Sequence, residues 1–304
     1  MKIFKKIQIC LLGILTVISM SFVTTEAGDS EQITVCLDAG HDYKHTGAVG
    51  DYLREEEVNF KITEYCKAYL KDNSTLNVVL THDSLECPYP DTPYEDCNYE
   101  RVLQAKKDGA DLYVSIHCNA ESTGTSHGCH FIYPQSNWKP EFNISGLQFL
   151  ESLKNNATDY FPITKAYTRD STEDDVNNTN FYPDDTRADY YGVIRNSKYS
   201  DMLGVIIEHG FITTDADEAV LMDDTNLKEL GEADAKAIID YFVNQGEDIV
   251  KIEDNDSDIK IPVSKPKYVY EPDNKALEIK NVNSSIRMIE KYNKLMIIPK
   301  IVSS

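Results

Sequence analysis

The chain has 304 residues, 41% of them hydrophobic, which is enough for one sizeable α/β domain with extras and excludes a chain disordered throughout. Thirty basic residues against 51 acidic ones give a net charge of −21. A surface that acidic repels nucleic acid and anionic lipid, so neither is expected as a partner.

The first 27 residues read as a secretory signal. Met1-Lys-Ile-Phe-Lys-Lys6 is a basic start, Ile7 to Val17 an apolar core and Thr25-Glu-Ala27 a small-residue cleavage site. The apolar run is short for a membrane span, so cleavage is favoured over a retained anchor, and no stable membrane insertion is expected afterwards. Removing it leaves the mature chain still more acidic.

From Ile33 an apolar, β-branched run enters Ala39-Gly-His41, the pattern of a buried strand ending in a tight loop that presents one imidazole. The segment from Glu55 to Leu70 carries Val58, Ile62, Tyr65, Cys66, Tyr69 and Leu70 at the spacing of one helical face. Glu55 falls on that stripe, which makes it a ligand candidate, while Glu56 and Glu57 are expected to face water and favour the helix dipole. Val78 to Thr81 reads as a strand and Arg101 to Gly109 as a short helix with a glycine stop. Asp111 to His117 is another buried strand delivering an imidazole, and Asn119 just beyond it is a candidate for substrate contact or for capping the loop.

Gly128 to Tyr133 is strand-like, so His127 and His130 point to opposite faces and are read as structural or exposed, as is His45 in its loop. Gly146 to Ala157 reads as a helix. Residues 169 to 187, rich in Asp and Asn, read as a surface loop without the oxygen spacing of a calcium-binding loop. Gly204 to Glu208 is a third buried strand, delivering a carboxylate, with His209 turned the other way. Closing helices are expected over 217–221 and 226–244. Residues 28 to 246 thus form the main domain, and 247 to 304 an acidic linker and C-terminal extension with short β-prone runs, of no assigned role.

Six cysteines remain once Cys10 leaves with the signal. Cys87 and Cys97 flank an insertion that a disulfide would staple; Cys36, Cys66 and Cys118 suit buried thiols. No Cys-x-x-Cys pair supports a second zinc site.

The fold class follows as α/β, a single domain with a twisted, largely parallel or mixed sheet flanked by helices. In such sheets ligands bind beyond the carboxyl ends of the strands, where His41, His117 and Glu208 can converge with Glu55. Two histidines and a carboxylate with an open position form a recognised catalytic zinc set, and a second carboxylate can act as general base. Ser115 or Cys118 as a nucleophile is the less favoured reading; Cys118, next to His117 on a strand, faces away from it.

These motifs resemble those of the zinc-dependent N-acetylmuramoyl-L-alanine amidases of bacterial cell-wall turnover: Asp38-Ala-Gly-His41 with Thr46-Gly-Ala-Val-Gly50, Glu55 four residues before Asn59, Ser115-Ile-His117-Cys-Asn119 and Glu208-His-Gly-Phe-Ile212. The likeness covers roughly residues 32 to 245. It implies one zinc on His41, Glu55 and His117, Glu208 as catalytic acid/base, and a secreted, wall-associated hydrolase of the bond between N-acetylmuramic acid and L-alanine, acting on peptidoglycan or muropeptides. Where the family carries arginine after Thr81, this chain has His82. Ala188 to Arg195 is similar to the family segment before the last strand, which implies a stem-peptide carboxylate contact for Arg195. Another zinc peptidase acting on wall peptides, or a non-catalytic muropeptide-binding relative, are the alternatives.

Overall fold

A computed structural model describes residues 32–171 and 181–251 and four strands between 267 and 299. The expected signal at 1–27, residues 172–180 of the expected surface loop and residues 252–260 of the expected linker lie outside the described residues. Six strands form one mixed sheet: β1 (Thr34–Ala39), β2 (Asn77–Leu80), β3 (Leu112–Asn119), β4 (Cys129–Ile132), β5 (Ile163–Tyr167) and β6 (Leu203–Phe211), in the order β2-β1-β3-β6-β4-β5. The first four in that order run parallel, and β4 turns antiparallel against β6. The chain places β2 on one side of β1 and β3 on the other, so the crevice at their carboxyl ends is a topological switch point of the kind where ligands bind in open α/β sheets.

Period-two alternation sorts the sheet residues onto two cores. Val35, Leu37, Val114, Ile116, Val205 and Ile207 face α1 (Glu55–Asn73), α3 (Glu141–Asn156) and α6 (Asp224–Gln245); Cys36, Tyr113 and Ile206 face α2 (Tyr94–Lys107) and α4 (Gly192–Tyr199). Each fully buried Val, Leu or Ile side chain contributes about 1.5–3 kcal/mol by leaving water. On α1 Val58, Ile62, Cys66 and Leu70 of the expected face are buried and Tyr65 and Tyr69 partly so, and the closing-helix face of Leu230, Ala233, Ala237, Ile238 and Tyr241 is buried. A short α5 (Asp215–Leu221) joins β6 to α6.

Several elements exceed their expected bounds. β3 and β6 run past His117 and Glu208, which therefore lie within their strands rather than at the tips. α2 begins at Tyr94, ahead of Arg101, and α3 at Glu141. β5 and α4 were not expected; β5 is a five-residue edge strand with no fully buried residue, too weak a pattern to show in sequence. Beyond 251, β7 (Lys267–Glu271), β8 (Ala276–Asn281), β9 (Ser284–Lys291) and β10 (Lys294–Pro299) form an antiparallel meander, in place of the isolated β-prone runs expected. Among the described residues no helix is long and apolar enough to cross a membrane.

Candidate metal centre

His117 on β3 and Glu208 on β6 are direct register partners in a parallel pair, and His130 on the antiparallel β4 partners Glu208 from the other side. One row across three strands therefore carries an imidazole, a carboxylate and a second imidazole. His130, expected to be structural or exposed, is half-buried in that row, its Nδ1 3.1 Å from Asn119 Nδ2 and its ring edge-on to Phe211.

His41 leaves β1 with φ of 70°, a left-handed conformation that a non-glycine residue adopts at a cost of order 1–3 kcal/mol and that surrounding contacts must hold. Those contacts come largely from Arg101 on α2, which is 2% exposed. Its guanidinium donates to Asp38 Oδ1 at 3.0 Å, the Ala39 carbonyl at 3.1 Å, Asp42 Oδ2 at 2.7 Å and the His41 carbonyl at 3.4 Å. His82 donates to the Ala39 carbonyl from Nε2 at 2.8 Å and so helps hold the same turn. Asp38 is further bound by Thr81 and Ser115, at 2.6 and 2.7 Å; Ser115 is thus committed to a buried carboxylate.

The imidazoles of His41 and His117 meet edge to face, centroids 5.0 Å apart, with Glu55 between them. Glu55 Oε1 lies 3.4 Å from His41 Nε2 and 3.0 Å from His117 Nδ1, and the three donor atoms fall within 4.8 Å of one another. Four nitrogen or oxygen donors at about 2.0 Å from a tetrahedral zinc stand about 3.3 Å apart, so this spacing and this N₂O donor set fit the ion. His41 Nδ1 donates to the His45 carbonyl at 3.2 Å, which leaves Nε2 as the ligand nitrogen. Glu55 is oriented by the Ala48 amide at 2.7 Å, by the Asn59 side chain at 3.2 Å and by the Cys118 amide at 3.3 Å. Burial alone would raise the Glu55 pKa, but the hydrogen bonds of His117 and His41 hold it well below the usual carboxylate range. The same Glu55 contact, with the charge of Glu208, lifts His117 to about 9 against burial, so a cation entering here displaces protons.

Glu208 faces the same cleft, half-buried, and burial raises its pKa above the ordinary value, the nearby Glu55 adding to the rise. The cleft encloses about 290 Å³; Asn119, Asn98 and Tyr191 line it with the four residues above. Arg195 does not: its guanidinium donates to the carbonyls of Asp189 and Tyr190, at 2.8 and 3.0 Å. His209 points to the opposite face and pairs with Asp234 of α6 at 2.8 Å, so it does not reach the cleft.

Two expectations need correcting. Glu57 is exposed, but Glu56 is fully buried: the loop from His41 to Arg54 folds back over the helix start, where Glu56 accepts from the Gly47 amide at 3.2 Å and pairs with Arg54 at 2.6 Å. Cys87 and Cys97 are brought together as thiols, their sulfurs 3.6 Å apart and not joined. Sequence reading also passed over Arg101 as a positioning group; the signal available was a lone arginine in a predicted helix, in a chain with two aspartates, Asp38 and Asp42, close to His41.

The family model for N-acetylmuramoyl-L-alanine amidases matches residues 35–240. The chain belongs to that family. The Bacillus subtilis protein YqiI is 29% identical over 216 residues, which is 69% of this chain and 84% of that one. The N-acetylmuramoyl-L-alanine amidase LytC of Bacillus subtilis is 27% identical over 209 residues, 69% of this chain but only 35% of its own length. In fold, an N-acetylmuramoyl-L-alanine amidase from Clostridium difficile 630 superimposes with a TM-score of 0.53 at 20% identity, covering 70% of this chain and 98% of that one. The matched region ends before β7, and the fold of the amidase domain is the six-stranded sheet described above.

Proposed function

We propose that this amidase-family chain hydrolyses the amide bond between N-acetylmuramic acid and L-alanine in peptidoglycan, using one zinc held by His41, Glu55 and His117. The observation that carries the reading is the placement of Glu208 beside His117 on the strand row that opens onto the three-donor cluster. A purely structural metal site needs no further carboxylate, and burying one is costly unless it has work to do or a cation to offset it.

Zinc, when bound, would supply Lewis-acid polarisation of the scissile carbonyl and acidify water. The protein's own residues do the rest. Glu208, with its pKa raised by burial, takes a proton from the attacking water and returns it to the departing alanine nitrogen, the acid/base pair of steps that amide hydrolysis needs. Arg101, through the Ala39 and His41 carbonyls, fixes the turn that aims His41, and the His45 carbonyl fixes its tautomer. Asn119 at the cleft edge offers an amide for hydrogen bonding substrate, its place there shared with His130. Secretion, with residues 1–27 removed and action at the cell wall, accords with this substrate.

Digestion of purified peptidoglycan followed by mass spectrometry tests the reading. Intact stem peptides beginning with L-alanine, released together with unsubstituted muramic acid lactyl groups, are the expected products. Shortened peptides still attached to glycan would instead mark a zinc peptidase, and binding of muropeptide without cleavage a non-catalytic relative. Alanine at His41 or His117 should remove the zinc held by this cluster, since loss of one of three protein ligands leaves little affinity.

A further inference from the structure

We infer that this chain carries a second, structural zinc site, built by Asp42, His45, Cys87 and Cys97, that pins the loop presenting His41. The four side chains come from three separate segments: the loop after β1, the insertion after β2, and α2. One donor atom from each lies within 4.8 Å of all the others. Asp42 and Cys97 are buried, and the His45 side chain is 9% exposed.

The spacing is that of a metal tetrahedron. Zinc with sulfur at about 2.3 Å and nitrogen or oxygen at about 2.0 Å sets two thiolates about 3.8 Å apart and two N/O donors about 3.3 Å apart. Here the Cys87 and Cys97 sulfurs are separated by 3.6 Å, and His45 Nδ1 and Asp42 Oδ2 by 3.2 Å. The absence of a Cys-x-x-Cys pair hid the set from sequence reading, because the two cysteines are ten residues apart and meet only when α2 folds against the insertion.

Charge and softness agree with the geometry. Two thiolates and a carboxylate around a divalent ion leave one negative charge, and Arg101 stands 2.7 Å from the same Asp42 carboxylate to neutralise it. Thiolate donors select zinc over magnesium or calcium. An ion held by these four side chains ties the loop after β1 to the insertion after β2 and to α2. The consequence reaches the first site through one bond, because His45, whose ring would ligate the second ion, offers its carbonyl to His41 Nδ1. The Tyr43 amide, donating to the Leu85 carbonyl at 2.8 Å, ties the same two loops.

The inference does not depend on the amidase reading, and a spectroscopic test separates the two. The full chain is isolated anaerobically, stripped of metal and loaded with Co²⁺. A thiolate-to-cobalt charge-transfer band in the near ultraviolet is expected, and it must come from Cys87 and Cys97, since the His41, Glu55 and His117 set contains no sulfur. The band should persist in His117→Ala and disappear in the Cys87→Ser, Cys97→Ser double variant, while zinc analysis falls from two ions to one in each. Should the double variant fail to fold, the wild-type and His117→Ala spectra still decide. No charge-transfer band from folded, reduced wild type would overturn the inference. So would non-reducing peptide mapping of the secreted protein that finds Cys87 and Cys97 joined in a disulfide.

Discussion

Replacing Arg101 with methionine keeps much of the side-chain volume but removes the one guanidinium that serves Asp38 and Asp42, two carboxylates exposed by 2% and 0%. Removing one partner of a buried ion pair costs roughly 3–5 kcal/mol, because it strands an uncompensated charge. Against a typical total of about 5–15 kcal/mol, this is a large fraction, and for a domain of this size it lowers Tm by on the order of 10 °C. The pH dependence identifies the cause. Although burial works to raise both aspartates, their partners hold Asp42 at about 2 and Asp38 below its ordinary 3.8. Carboxyls depressed in the folded state contribute stability that is complete above their unfolded value and is lost as pH falls through the folded one. Without Arg101 both groups protonate at higher pH, where neutral carboxyls no longer need a cation. The deficit of Arg101→Met relative to wild type, measured by denaturant unfolding in metal-free buffer, should therefore be greatest at neutral pH and shrink towards pH 4. An equal deficit at both pH values would show that Arg101 acts by packing and would refute the electrostatic reasoning.

Other expected outcomes follow from the helix start and the loop before it. Glu57→Ala should leave stability, metal content and activity near wild type, whereas Glu56→Ala should cost about 1–3 kcal/mol by leaving the Gly47 amide and Arg54 without their partner; equal effects in unfolding titrations would contradict the burial difference between them. Gly40→Ala would set a methyl 2.3 Å from the His117 ring, so the ring must move and zinc affinity, read by competition with a chelator, should fall by at least about tenfold although no ligand is changed. Unchanged affinity there would mean that His117 has room to spare.

The strands that carry the site were legible because each is a run of buried, largely apolar residues leading to a polar one, and such runs have few other readings. Val35 to Ala39, Leu112 to Ile116 and Val205 to Ile207 are of that kind, and they bring His41, His117 and Glu208 into one crevice. What escaped sequence reading depends on loops. A helical wheel assigns Glu56 to water because it knows only the sheet as a burying surface; the loop from His41 to Arg54 supplies a second surface that no periodicity announces. Arg101 and the cluster of Asp42, His45, Cys87 and Cys97 likewise unite segments far apart in sequence. The tail beyond residue 246 gave a weaker signal still, since its β-prone runs are short and broken or flanked by charges, and yet β7 to β10 pair as a meander.

Glu208→Gln, assayed for zinc content and for peptidoglycan cleavage in the same preparation, tests the central claim most directly. The substitution keeps volume and hydrogen-bonding reach, removes the proton acceptor and leaves His41, Glu55 and His117 untouched. Zinc at His41, Glu55 and His117 should remain at wild-type level, while release of stem peptides falls by at least about two orders of magnitude, the scale of a lost general acid/base. Cleavage at a near wild-type rate by the zinc-loaded Gln variant would contradict the account, leaving Glu208 a structural residue beside a metal centre that works without it.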